Sequence, residues 1–153
     1  MFEYFRNILT AAPERANSGY GMQKKLQVAT CALYFEMAKA DDKFTDVEHK
    51  KIISMMKEEF DLGEEDVDEL IQQTKESIRR SVSIYEFTTI IDQNLPRDEK
   101  LKLMKNLWRL IYLDGKLDKY EDNLVKRIGD MLKLEHKEVI ESKLLVKNEL
   151  NLN

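Results

Sequence analysis

The stretch Ile111–Glu121, with the sequence IYLDGKLDKYE, contains the pattern that decides the fold. An apolar run ends at Leu113, an acid and a glycine follow, and Asp118 and Glu121 then have the spacing of a capping box. In a capping box the first side chain accepts a hydrogen bond from the fourth residue's backbone N–H, and the fourth side chain bonds back to the first N–H. The stretch therefore predicts a helix, a tight turn and a second helix.

The same pattern occurs once more, upstream. Ala40–Glu48 (ADDKFTDVE) aligns without a gap with Leu113–Glu121 (LDGKLDKYE), and the flanking apolar positions continue to correspond. The matched pairs are Asp41 with Asp114, Lys43 with Lys116, Phe44 with Leu117 and Glu48 with Glu121. We therefore expect two pseudo-symmetric helix-loop-helix repeats packed about a pseudo-twofold axis.

Helical periodicity extends over nearly the whole chain. Five Gly and two Pro interrupt it only rarely, and no long alternating run of β-branched residues appears. Three helices are expected before residue 80, and further starts are expected at Ser83, Pro96, Asp118 and near Glu135. The predicted fold class is all-α, a single-domain bundle of about seven helices.

The N-terminal region departs from this pattern. Phe2, Phe5, Ile8 and Leu9 form a short amphipathic segment, and residues 11–21 (AAPERANSGYG) collect the Pro, Ser, Asn and Gly residues of a linker. We therefore divide the chain into an N-terminal segment and linker, residues 1–21, and a helical domain, residues 22–153. The apolar segment is too short for a stable isolated helix, so we expect it to dock on the domain or on a neighbouring chain.

Composition limits the class of partner. The 153 residues include 42% hydrophobic and 35% charged residues with both signs interspersed, for a net charge of −4. This balance indicates one soluble domain and argues against nucleic acid as a partner. The single Cys31 cannot form an intrachain disulfide, and no apolar run is long enough for an integral membrane segment. We expect a cytoplasmic protein.

The acids of the repeated motif have a purely structural explanation that accounts for some of them. Helix capping explains Thr45 with Glu48 and Asp118 with Glu121. Capping does not require an acid four residues before each cap residue. These two unexplained positions are Asp41 and Asp114.

Divalent cation binding is the chemistry that would use those acids. Asp114–Glu121 resembles the second half of an EF-hand calcium loop, with Gly115 at the turn and Glu121 at the last, bidentate position. The first two ligand positions are the apolar Leu110 and Tyr112, so neither copy forms a complete loop. The two loops together could pool the oxygen ligands that calcium, magnesium or manganese prefer. The candidate metal ligands are Asp41, Glu48, Asp114 and Glu121.

Longer stretches of the chain, from about Lys25 to its end, resemble the tellurite-resistance TerB family. The resemblance implies an all-helical fold with two related halves, a cytoplasmic location and an acidic cluster proposed to bind divalent cations. By position it assigns Asp41 with Glu48 and Asp114 with Glu121 to that cluster, and Asp42 departs from the glycine expected there. The stretches are AKADDKFTDVE, SVSIYEFTTIID, LWRLIYLDGKLDKYEDNLVKRIGDML and HKEVIESKL.

Three functions from different classes are compatible with these observations. The favoured hypothesis is a non-catalytic binding or scaffold protein, responsive to a divalent cation, linked to tellurite-type stress resistance, with an unidentified protein partner or a second copy as partner. The first alternative is a structural protein–protein interaction module without metal, and the second is a metal-assisted hydrolase. No catalytic residue is assigned, because Cys31, His49 and His136 lack partners at recognisable spacing.

Overall fold

Seven α-helices make up the described part of the chain. A computed structural model describes residues 16–40 and 44–152, with side chains from residue 21 onward, and no strand occurs in these ranges. The helices are α1 (Ala16–Ala38), α2 (Asp46–Phe60), α3 (Glu64–Arg80), α4 (Tyr85–Asn94), α5 (Arg97–Ile111), α6 (Lys119–Met131) and α7 (His136–Glu149). The predicted all-α bundle of about seven helices is confirmed.

Local sequence signals place most helix starts correctly. Pro96, Asp118 and Glu135 are the N-cap residues of α5, α6 and α7. Helix α4 begins at Tyr85, two positions after the predicted start, and Glu86 accepts hydrogen bonds from the backbone N–H groups just before it. Pro96 suits this position because proline lacks the N–H that an N-terminal residue would leave unpaired.

Helix α1 begins earlier than the sequence suggests. Its first residue is Ala16, so residues 16–21 are helical, although they belong to the predicted linker. Gly19 and Gly21 each cost a helix roughly 1 kcal/mol relative to alanine, which is a modest cost in a helix of 23 residues. Residues 16–21 are therefore helical, and the assignment of residues 1–21 to an N-terminal segment and linker stays a prediction. The apolar segment at residues 2–9 lies outside the described residues.

Helix α1 is the central element of the bundle. It packs against α2, α3, α4, α5 and α6. Consecutive residues from Cys31 to Phe35 are all essentially inaccessible to solvent. A helix that is apolar around its whole circumference is stable only when neighbours cover every side, and here five helices do so.

The C-terminal half packs closely around Trp108. The indole Nε1 donates to the backbone oxygen of Val139 at 3.1 Å, and the Tyr112 ring stacks on the indole with centroids 6.1 Å apart. Gly129 allows α6 to approach α7, because a Cβ atom there would lie 2.6 Å from Val139 Cγ2 and 3.1 Å from Met104 Cε. This half therefore depends on a missing side chain at one helix contact.

The two motifs have corresponding helix boundaries. Helix α1 ends at Ala38 and α5 at Ile111, the same number of residues before Thr45 and Asp118, which cap α2 and α6. The backbone angles of the two caps agree closely, with φ/ψ of −93°/163° at Thr45 and −95°/167° at Asp118. Residues 41–43 lie outside the described ranges, so superposition of the complete repeats stays a prediction.

Candidate functional site

The first junction, at the start of α2, is a complete capping box. The backbone N–H of Glu48 donates to Thr45 Oγ1 at 3.2 Å, and the backbone N–H of Thr45 donates to Glu48 Oε1 at 3.2 Å. Phe44 stacks on Phe35 with ring centroids 5.5 Å apart and meets the edge of the His49 ring at 5.8 Å. These ring contacts hold the chain before the cap against α1 and against the first turn of α2.

The second junction, at the start of α6, repeats this arrangement. The backbone N–H of Glu121 donates to Asp118 Oδ1 at 2.8 Å, and that of Asp118 donates to Glu121 Oε1 at 3.2 Å. Gly115 has a φ of 78°, a left-handed value that glycine adopts without strain. Asp114 accepts a hydrogen bond from the backbone N–H of Lys116 at 3.0 Å, which folds its carboxylate over the turn.

A cavity of about 280 Å³ brings the two junctions together. Glu48 from the first junction lines it, as do Asp114 and Glu121 from the second. The remaining walls are largely aliphatic and come from both sides of the bundle: Thr45, Val47, Leu110, Ile111 and Leu113. Three of the four predicted metal ligands therefore line one cavity, and the fourth, Asp41, lies outside the described residues.

The carboxylates differ in their exposure to water. Glu121 is buried, with 7% of its surface exposed, whereas Asp114 is exposed. Burial, followed by the charges of Asp122 and Glu121, raises the pKa of the Tyr112 phenol above its usual range. The Glu121 carboxyl thus lies beside a buried aromatic ring, where water screens charges less than at the surface.

The chemistry of the donors fits a hard cation. Carboxylate oxygens are the ligands that calcium, magnesium and manganese prefer, and three carboxylate side chains line the cavity. Within residues 16–40 and 44–152, however, no three His, Cys, Asp or Glu side chains lie in positions that could hold a metal ion. Both glutamates instead bond to the backbone at their own helix starts. In this arrangement both glutamates belong to helix caps, and Asp114 bonds to the turn.

Cys31 is a core residue. It is fully buried, and burial raises the pKa of its thiol to about 12, so the nucleophilic thiolate is disfavoured. Its position on α1 accounts for a small side chain by packing alone.

A polar cluster at the end of α2 is missing from the sequence interpretation. Tyr34 donates its hydroxyl to Glu59 Oε1 at 2.5 Å, and Asn106 donates its Nδ2 group to the same oxygen. A signal was available, because Glu59 lies seven residues after the buried Ile52 and one before the buried Phe60. Two turns after a core position, a helix again faces the core, so an acid there predicts a buried carboxyl.

These observations define a class of protein: an all-α bundle in which two capped helix-loop-helix junctions share an acidic cavity. Residues 27–144, well over half of the chain, match the family model described as tellurite resistance protein TerB. The chain belongs to the TerB family. TerB domains are generally non-catalytic.

No curated protein and no solved structure matches the chain. Among the described residues, none of the helices combines the length and apolar character needed to cross a membrane.

Proposed function

We propose that this protein is a non-catalytic, cation-responsive binding protein whose cation site lies between the two junctions. The observation that supports it is the shared cavity, because Glu48 and Glu121 begin different helices yet line the same space with Asp114. Glu48, Asp114 and Glu121 would hold the cation together with Asp41. A hard divalent cation would supply positive charge that offsets the mutual repulsion of these carboxylates.

The expected affinity is weak and the expected effect is coupling of the two halves. The described carboxylates are fewer than the roughly six to eight oxygen ligands that calcium takes, so water would complete the shell. Because the site draws ligands from both junctions, occupancy would link α1 and α2 to α5 and α6. Such a link would allow a change in cation concentration to alter a surface that a partner contacts.

The biological setting belongs to the same proposal. We place the protein in the cytoplasm, in a stress response of the tellurite-resistance type, and we expect a protein partner or a second copy of the chain. Family membership supports this setting. The net charge of −4 argues against nucleic acid as the partner.

A second candidate function is a protein–protein interaction module without metal. It is favoured by the closed capping boxes, in which both glutamates already have backbone partners. It is also favoured by exposed apolar side chains next to the junctions. Val47 is 62% exposed and Tyr120 is 67% exposed.

Calorimetry of the metal-free protein with calcium, magnesium and manganese distinguishes the two candidate functions. Titration measures whether the cation binds, and melting curves measure whether it stabilises the fold. If the carboxylates form a site, millimolar cation raises the melting temperature through mass action, and Asp114→Asn abolishes that rise. The same variant should melt slightly higher than wild type without cation, because one repelling charge is gone. Asp68→Asn, on an exposed position of α3, is the matched control and should retain the cation response. A wild-type melting temperature that stays constant would leave the acids as helix caps.

A further inference from the structure

A second cavity, of about 470 Å³, opens between α2, α5 and α7. It shares none of the residues that line the acidic cavity. Its lining contains four cationic side chains and a carboxyl that belongs to the polar cluster of Tyr34 and Asn106. The charged lining residues are Lys51, Lys102, Lys105, Arg109, Glu58, Glu59 and Glu149.

The Glu59 carboxyl has two oxygens in different situations. Oε1 accepts hydrogen bonds from the Tyr34 hydroxyl and from Asn106 Nδ2. Oε2 is buried and has no hydrogen-bond partner among the described residues. Burial raises the pKa of this carboxyl to about 8, so it holds a proton at neutral pH. Since Oε1 already accepts two hydrogen bonds, the proton belongs on Oε2, which becomes a donor in need of an acceptor.

The surrounding cations are not all neutralised by neighbours. Arg109 pairs with Glu149 through two hydrogen bonds of 2.8 Å, and Lys102 lies 3.5 Å from Glu99. Lys51 and Lys105 have no ion pair within 4.0 Å among residues 16–40 and 44–152. Both lie close enough to Glu149 to lower the pKa of its carboxyl, although the effect of Arg109 on that pKa is larger.

The balance of charge in the cavity is therefore positive when Glu59 is protonated. Glu58 is the one acidic lining residue left to oppose Lys51 and Lys105, since Arg109 offsets Glu149. Among residues 16–40 and 44–152, the remaining groups that act on the Glu59 carboxyl are neutral or already paired, as Arg109 is with Glu149. Tyr34 and Cys31 on α1 are uncharged, because burial raises the pKa of the phenol well above its usual range and that of the thiol to about 12.

We propose that this cavity binds a small, soluble, multivalent anion, which accepts a hydrogen bond from Glu59 Oε2 and is held by the ammonium groups of Lys51 and Lys105. Oxygen acceptors on such an anion would satisfy the buried donor that the protein leaves unpaired. A cation would meet Lys51, Lys105 and Arg109 instead, and a neutral ligand would leave the lysine charges unused. Carboxylate and phosphate groups both provide the required chemistry.

Sulfate is the probe that tests the site, because its charge stays constant across the pH range in which Glu59 titrates. Calorimetry of the full chain at pH 6.5, with sodium chloride of equal ionic strength as reference, should show saturable sulfate binding. Affinity should fall about tenfold per pH unit above pH 8, where Glu59 loses its proton. Parallel titrations with inorganic phosphate and citrate distinguish a phosphate ligand from a carboxylate ligand.

Three variants isolate the parts of the site. Lys105→Met should weaken sulfate binding by about tenfold or more, as expected for one charge-assisted hydrogen bond. Lys75→Met, on an exposed position of α3, is the matched control and should bind as wild type does. Glu59→Gln places an amide donor at the Oε2 position without a titrating proton, so it should bind sulfate with no pH dependence across this range.

The proposal is overturned if wild type shows no sulfate binding beyond the chloride reference, or if Lys105→Met binds as tightly as Lys75→Met. It is equally overturned if a folded Glu59→Gln variant, verified by its melting curve, retains the pH dependence of wild type. The lysine variants keep the test decisive if Glu59→Gln fails to fold, because both replaced side chains lie outside the core.

Discussion

The two halves of the molecule have corresponding helix boundaries at their junctions but fill their interiors differently. When the ungapped alignment of the two motifs is extended along the flanking helices, Tyr34 and Glu59 in the first half correspond to Leu107 and Leu132 in the second. Both leucines are fully inaccessible to solvent. The second half therefore has apolar side chains at the two positions where the first half has a phenol and a carboxyl.

This difference separates the features needed for the fold from those that are additional to it. Both halves end a helix, turn, cap the next helix with a capping box and direct a glutamate toward the acidic cavity. The second half does this with leucines in place of the phenol and the carboxyl, so neither polar group is required by the hairpin itself. Burying a carboxyl costs free energy, and a cost that the equivalent half avoids points to a function for Glu59.

The largest expected effect concerns pH and Glu59. In an unfolded chain a glutamate ionises with a pKa of about 4.3, whereas the folded protein holds the proton to about pH 8, so the native state binds more protons between these values. The free energy of unfolding should therefore fall as pH rises, with a limiting slope of about 1.4 kcal/mol per pH unit, and level off above pH 8. Urea unfolding between pH 5 and 9 measures it.

Glu59→Gln is the control for that pH dependence. Relative to wild type it should unfold with a weaker loss of stability across the same pH range. If the two proteins show the same dependence of unfolding free energy on pH, Glu59 is ionised in the native state, and its burial does not set the first half apart.

The next largest effect should come from Gly129, which the alignment pairs with the buried Met56. Gly129→Ala places a methyl group within 2.6 Å of the stiff side chain of Val139, so we expect a destabilisation of about 1–3 kcal/mol. Gly21→Ala is the matched control, since a Cβ atom there meets nothing within 4 Å and the helix should gain up to about 1 kcal/mol. Thermal melting of both variants checks the sign, and an unchanged Gly129→Ala would contradict the close helix contact.

The smallest effect should distinguish the two helix caps. Thr45→Ala and Asp118→Ala each remove one acceptor at a helix start, which typically costs about 1 kcal/mol. Asp118→Ala should cost slightly more, because its 2.8 Å hydrogen bond to Glu121 is shorter and because it also removes a charge that the helix dipole favours. Urea unfolding at constant pH gives both values. If Asp118→Ala costs much less stability than Thr45→Ala, the cap of α6 is weaker than the cap of α2, contrary to this prediction.

Much of the fold can be predicted from local signals in the sequence. Capping residues, a single proline and regular apolar spacing place α5, α6 and α7 because each signal acts within one or two helical turns. The start of α1 does not follow in this way. Its glycines suggest a linker, yet continuation of a helix into residues 16–21 depends on the energetics of the whole helix rather than on any one residue.

The candidate site was predictable to a different degree. The repeat indicates that Glu48 and Glu121 occupy equivalent positions, and the alignment adds Asp114, but the distance between two loops depends on how four helices pack. The spacing of residues along the chain does not determine that packing. The same limit explains why the partners of Glu59 were missed, since Tyr34 and Asn106 lie on helices distant in the chain.

The central position of α1 has a consequence for biosynthesis. This helix leaves the ribosome before α5 and α6, which cover part of it and follow only after on the order of ten seconds of translation. During that interval the faces of α1 that α5 and α6 cover lack their native neighbours. We expect the nascent chain to depend on chaperones until Met131 has been synthesised, and the fold to form largely after translation, because no shorter N-terminal fragment contains all the helices that enclose α1.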